Sequence, residues 1–211
     1  GLREICNKHH ILLVADEVQS GCGRTGKFLA IEHFGIEADV VCLAKGIASG
    51  LPLSATVADE SIMSWPPGSH ASTFGGNPVS LKACEATLKL LEEKLMKNAK
   101  EEGDFLLSRL KEMMAKKSVI GDIRGIGLMI GIEIVKDKVS KERFPELRDR
   151  IEVECFNRGL LVLGCGANTI RLCPPLIIER EQSEFAIKTI EESIIAALDF
   201  LRREKKISII A

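Results

Sequence analysis

The sequence predicts an α/β fold: a mostly parallel sheet, truncated within this chain, followed by a smaller α+β domain. Three observations carry that expectation. Two short apolar runs, Ile11 to Ala15 and Val40 to Leu43, alternate with helical stretches, which is the rhythm of a parallel sheet with crossover helices. A further extended segment, Leu53 to Ala58, follows a Gly-Leu-Pro turn. After Leu95 the pattern changes to a charged amphipathic helix and then short strands, so a second domain begins near Met96, giving residues 1–95 and 96–211.

Taken in order, Leu2 to Lys8 reads as the end of a helix already under way, and Ile11 to Ala15 as a buried strand. A glycine-rich loop and a short helix around Phe28 to Phe34 lead to the strand Val40 to Leu43. Asn77-Pro78 opens a helix, with Asn as cap and Pro at the first helical position; Cys84, Leu88, Leu91 and Leu95 form its apolar stripe. The charged helix runs to about Lys116, followed by strands around Ile120 to Ile123 and Leu128 to Val135 and a helix to Arg158. Short strands at Leu160 to Leu163 and Thr169 to Cys173 precede a last helix with the stripe Ile187, Ile190, Ile194, Ala197 and Leu201. The apolar tail Ile207 to Ala211 carries no assignment.

Composition narrows the function classes. A net charge of -1, with Lys and Glu interspersed along the helical stretches, gives no electrostatic reason to expect a nucleic-acid partner. The seven cysteines are scattered and never in C-x-x-C spacing, which reads as reduced thiols in the cytoplasm, and the four histidines show no ligand spacing, so no metal site is expected. No apolar stretch approaches a membrane span and no signal peptide opens the chain.

The stretch Gly21-Cys22-Gly23-Arg24-Thr25-Gly26 matches G-x-G-x-x-G, but five residues, Asp16 to Ser20, separate it from the strand, whereas a dinucleotide fingerprint puts its turn directly on the strand. The next acid, Asp39, precedes its strand where a ribose-binding acid should end one. A structural or active-site turn is the favoured reading. Lys45 directly follows the apolar run Val40 to Ala44, at the strand end where ligands collect in open α/β sheets, and a desolvated amine there is nucleophilic. Asp16 also ends an apolar run, so a parallel arrangement puts both groups at one sheet edge. A fixed carboxylate and a hidden amine in one crevice suit pyridoxal phosphate: the lysine forms the Schiff base and the aspartate keeps the pyridine nitrogen protonated. Glu17 reads as a solvated or structural neighbour.

DEVQSGCGRTG, the AKG around Lys45 and the 29-residue separation of Asp16 and Lys45 resemble the class III pyridoxal-phosphate aminotransferases, the group of 4-aminobutyrate, acetylornithine and ornithine aminotransferases. The likeness runs from about residue 2 to residue 203. It implies the large cofactor domain of the type I transferase fold followed by the small C-terminal domain. It also implies that Asp16 pairs with the pyridinium nitrogen, Val18 packs on a ring face and Gln19 bonds the ring hydroxyl. Lys45 would be the Schiff-base lysine and the acid/base that moves the substrate Cα proton. Thr73, in HASTFGGNP, would reach the cofactor phosphate of the neighbouring subunit of a dimer, and Arg171, in NTIRLCPPL, would bind the substrate carboxylate, a task suited to a planar fork. Arg24 and Arg124 match family stretches without an assigned role.

The reaction so implied is amino transfer from an amino acid or ω-amino acid to a 2-oxo acid, with an amino-acid racemase on the same fold, or a non-catalytic interaction fragment, as alternatives. Family members are about twice as long, and the phosphate cradle belongs to their N-terminal half. The expectation is therefore a C-terminal half that holds cofactor poorly alone, and that self-associates or pairs with an N-terminal half through unpaired strand edges.

Overall fold

The computed structural model describes residues 1–204, so the tail Ile207 to Ala211 lies outside the described residues. The chain divides into two compact units, Gly1–Ala99 and Lys100–Ala211.

The first unit opens with helix α1 (Leu2–His9), closed by His10 in the left-handed region at φ 54°. Strand β1 is Val14–Asp16, later than the run Ile11 to Ala15 suggests, and Asp16 lies inside it. Ile11, Leu12 and Val14 are all exposed. The physical reason is position: β1 is an edge strand whose pairing, Val14 opposite Val40 and Asp16 opposite Cys42, is to β2 (Val40–Leu43) alone. The lead-in is held by Asp39, whose Oδ2 accepts from the Leu13 amide at 2.6 Å and from Arg3 Nη1 at 2.7 Å. The Leu13 amide first, and then Arg3, keep this carboxyl below the usual carboxylate range. Asp39 is thus a tie between α1 and β1, not a ribose ligand. β2 pairs parallel with β1 and antiparallel with β3 (Ala55–Ala58), an antiparallel edge of the kind common beside parallel strands.

The long helical run starts as read, with Asn77 Oδ1 accepting from the Ser80 amide at 2.9 Å and Pro78 at the first position. Helix α2 (Pro78–Leu90) passes through one π-helical turn, Leu91–Leu95, into α3 (Met96–Lys116) without a break. The π turn takes one extra residue and so shifts the helical phase at the point where the sequence pattern changes.

The second unit is built on an antiparallel sheet of β4 (Ile120–Ile126), β5 (Met129–Ile134), β6 (Leu163–Cys165) and β7 (Thr169–Leu172), in the order β4-β5-β7-β6. Strict alternation puts Ile123, Ile130, Ile132, Ile134, Ile170 and Leu172 on a buried face, against which α4 (Pro145–Asn157) packs. Helix α5 (Arg180–Arg203) packs on α4 and buries Ile187, Ile190, Ile194, Ala197 and Leu201, the predicted stripe. Leu160 to Val162 are not strand: the Leu160 and Gly159 amides bond back to Cys155 O and Phe156 O, closing α4, with Gly159 at φ 83°. At Gly103 an added Cβ would lie 2.3 Å from the backbone of Gly127, so α3 and the β4–β5 turn touch main chain to main chain.

Candidate active site

Two acids stand side by side at the end of β1, and the fold sorts them. Glu17 is 3% exposed; its Oε1 accepts from the Ile31 amide at 2.8 Å and its Oε2 from Ser20 Oγ at 2.5 Å. It pins the glycine-rich loop to the 3₁₀ turn Ala30–Phe34. Gly21 fits beneath it only because it lacks a side chain: a Cβ there would lie 2.7 Å from Glu17 O and 3.1 Å from Leu43 Cδ2. Glu17 is therefore the structural neighbour, not the solvated one. Asp16 is exposed, and its Oδ1 accepts from the Val18 amide at 3.1 Å, while Oδ2 has no partner among the described residues. The glycine loop itself runs through turns into that short 3₁₀ segment, with no long helix start to receive a pyrophosphate.

Lys45 follows β2 directly, in the 3₁₀ turn Lys45–Ala48, with φ 46° in the left-handed region. A long side chain there costs on the order of 1–3 kcal/mol and persists only where the surroundings enforce it. Here they do. Buried Ile47 and Ala48 fix the turn from below, and the side chain of Cys22 packs under Gly46, where an added Cβ would meet Cys22 Cβ at 3.4 Å. Burial first, then the neighbouring Cys84 and Glu17, pushes the Cys22 thiol up, consistent with a packing role.

The lysine Nζ donates to Gln19 Oε1 at 2.6 Å. In the parallel register Asp16 lies opposite Cys42, so Gln19 and Lys45 each lie three residues beyond a paired position, on the same carboxyl edge. Asp16, Val18, Gln19 and Lys45 are thus gathered at one strand edge. The Gln19–Lys45 bond was not legible in the sequence. The expected hidden amine is corrected: Lys45 is exposed, because no other element of the first unit covers this edge among the described residues. Thr73 lies in the exposed loop before α2 and has no hydrogen bond to the Asp16–Lys45 group.

Arg171 belongs to the second unit, on β7, half-buried, with no ion pair or side-chain hydrogen bond among the described residues. Among the described residues it is the one charged group lining a groove of about 430 Å³ walled by Leu161, Leu163, Pro174 and Phe185. Sequence reading left Arg124 without a role. The structure places it on β4 in the same cross-strand row as Arg171, with Gly131 between them. Its Nη1 reaches Asp122 Oδ2 and Glu133 Oε2, both at 3.0 Å, and its Nη2 reaches Thr169 Oγ1 at 3.4 Å. Alternation of polar residues at 122 and 124 and at 169 and 171, with Glu133 on the strand between, was the available signal for this face.

Comparison with known proteins decides the family. The family model described as aminotransferase class-III matches residues 1–194. This chain belongs to the class III aminotransferases. It is 43% identical over 195 residues to a leucine/methionine racemase of Thermococcus litoralis, covering 92% of this chain and 44% of that protein. It is 36% identical over 210 residues to a diaminobutyrate–2-oxoglutarate aminotransferase of Haemophilus influenzae, covering 95% and 46%. A solved transaminase from the marine bacterium Virgibacillus superposes with a TM-score of 0.89 at 31% identity, covering 95% of this chain and 48% of that one. The chain spans about half the length of the curated relatives it matches.

Class III aminotransferases depend on pyridoxal phosphate, and the residues of the first unit fit that group. An aldehyde requires a primary amine, a pyridinium nitrogen requires a carboxylate oxygen with capacity to spare, and a ring hydroxyl requires an amide. Lys45, the unpartnered Oδ2 of Asp16 and the Gln19 side chain are those three groups on one edge.

Proposed function

We propose that this chain carries the lysine-bearing part of an aminotransferase that moves an amino group from an amino acid or an ω-amino acid, such as 4-aminobutyrate, to a 2-oxo acid. The observation supporting this reading is the contact of Lys45 Nζ with Gln19 Oε1 at the strand edge that Asp16 shares. Pyridoxal phosphate, when bound, supplies an aldehyde for the lysine and a cationic ring that takes up electrons released at the substrate Cα. Asp16 Oδ2 holds the proton on the ring nitrogen. Val18 packs against one ring face, and Gln19 passes from the lysine to the ring hydroxyl. Lys45 Nζ is the base that removes the substrate Cα proton. Arg171 takes the substrate carboxylate as a bidentate pair. Thr73 is assigned to the phosphate of a neighbouring subunit. Residues 1–95 then form part of the large cofactor domain and 96–211 the small C-terminal domain.

The test is incubation of the chain with pyridoxal phosphate, borohydride reduction and peptide mapping. Label on Lys45, absent from Lys45→Ala, is expected. Equal labelling of the Lys45→Ala chain, or label spread over surface lysines, overturns the assignment.

A second reading is favoured by a specific observation, the 43% identity to the leucine/methionine racemase and likewise to an alanine/serine racemase of Pyrococcus horikoshii. In that case Lys45 and its partners do the same work, but the proton returns to the opposite face of the Cα. Supplying an amino donor alone separates the two: a transaminase accumulates pyridoxamine phosphate and 2-oxo acid, while a racemase yields only the enantiomer.

A further inference from the structure

The open face of the second unit's sheet carries two acids and two arginines, and their pairing is lopsided. Across the sheet, Asp122, Glu133 and Thr169 stand in one row, and Arg124, Gly131 and Arg171 in the next. Residues directly opposite in an antiparallel sheet share a face, so Glu133 on the central strand β5 is the diagonal neighbour of Arg124 on one side and of Arg171 on the other. Diagonal neighbours are within reach of long side chains. Glu133 therefore has two arginines to choose from, and so does any carboxylate that enters from outside.

The observed choice is one-sided. Glu133 Oε2 is 3.0 Å from Arg124 Nη1, and Asp122 Oδ2 is 3.0 Å from the same nitrogen, so both acids are spent on one arginine. The other oxygen of Glu133 is met by Asn168 Nδ2 at 3.5 Å, from a buried side chain that also donates to Ile134 O at 2.7 Å. Arg171 keeps no acid among the described residues. Gly131 places no side chain between the two arginines, and an added Cβ would meet Thr169 Cγ2 at 3.2 Å.

We infer that Arg124 is a positioning residue: it draws Glu133 away from Arg171 and so keeps Arg171 open to the carboxylate of an incoming acid. This rests on the reading of Arg171 as the carboxylate site. Without Arg124, Glu133 becomes a carboxylate tethered one strand away from Arg171, at an effective concentration that a millimolar ligand does not match.

The experiment titrates the chain with glutarate and follows the Arg171 side-chain Nε–H resonance by NMR. Wild type, Arg124→Met, Glu133→Gln, the Arg124→Met/Glu133→Gln pair and Arg171→Met are compared. The glutarate Kd is expected to rise about tenfold or more in Arg124→Met, the scale of one lost charge-assisted bond. It should return to within a few-fold of wild type in the pair, and Arg124→Lys, which keeps the cation, should stay near wild type. Unchanged affinity in Arg124→Met, or a double variant no better than the single, overturns the inference while leaving the Arg171 reading intact. A wild-type chain whose Arg171 resonance ignores glutarate removes that reading and this inference with it. Should Arg124→Met lose the folded circular-dichroism spectrum, Arg124→Gln, which keeps a donor for Asp122, carries the same comparison.

Discussion

Replacing Glu17 by Ala tests how the fold divides labour between the two adjacent acids. The substitution removes the acceptor of the Ile31 amide (2.8 Å) and of Ser20 Oγ (2.5 Å). A buried donor left unpaired costs about 1–3 kcal/mol. The Ser20 hydroxyl is only half-buried and can turn to water, so it belongs at the low end, and losing a buried charge recovers part of the cost. The sum is about 2–4 kcal/mol, which for a chain of this size lowers the Tm by roughly 5–15 °C. Glu17→Gln keeps an acceptor for Ile31 and can reverse the bond to Ser20, so it should cost about 1 kcal/mol. Asp16→Ala, at an exposed site with a single amide bond, should fall within about 0.5–1 kcal/mol of wild type. Urea unfolding followed through Trp65 reads the right unit, because it is the single tryptophan and lies in Gly1–Ala99 with both acids. Cofactor titration should reverse the order, with Asp16→Ala losing pyridoxal phosphate affinity and Glu17→Gln retaining it. Equal stability losses at the two positions, or a Glu17→Ala chain as stable as wild type, would refute the division.

Two further outcomes test the second unit. Gly103→Ala would normally stabilise a helix by about 1 kcal/mol, but here the Cβ would sit 2.3 Å from the Gly127 main chain, so a net loss of about 1–3 kcal/mol is expected by thermal unfolding, and a stabilised variant would disprove the close approach. The Glu154 carboxyl lies below the usual range, chiefly because Arg158 donates to it, with Arg150 adding a second bond, while burial opposes both. A folded pKa below the unfolded one gives stability that is complete above the unfolded value of about 4.3 and fades as pH falls through the folded value. Glu154→Gln should therefore flatten the acid limb of the stability curve below about pH 4.3 and leave its slope near neutrality unchanged; a steeper acid limb would contradict the sign.

Much of the architecture was legible because it is written locally. The stripe from Ile187 to Leu201 and the cap at Asn77 depend on spacings within one helix, and both stand as read. Other features depend on partners far along the chain. The run Ile11 to Ala15 looks buried, yet it lies at a sheet edge, and only pairing with β2 sets where β1 begins. The π turn at Leu91–Leu95 was hidden in the sequence because a one-residue phase shift and the start of a new helix look alike in a hydrophobic pattern. The row Arg124, Gly131, Arg171 is spread over three strands, and no local spacing announces it.

The sequence by itself determined which chemistry is present: an amine and an acid, each ending an apolar run, ahead of an arginine in a later strand. Tertiary structure alone decided which of two neighbouring acids is buried, which residue meets the amine, and which arginine on the open sheet face has no counter-charge among the described residues. Those outcomes turn on cross-strand register and on which donors converge on a given oxygen, and both arise only when segments distant in sequence are brought together.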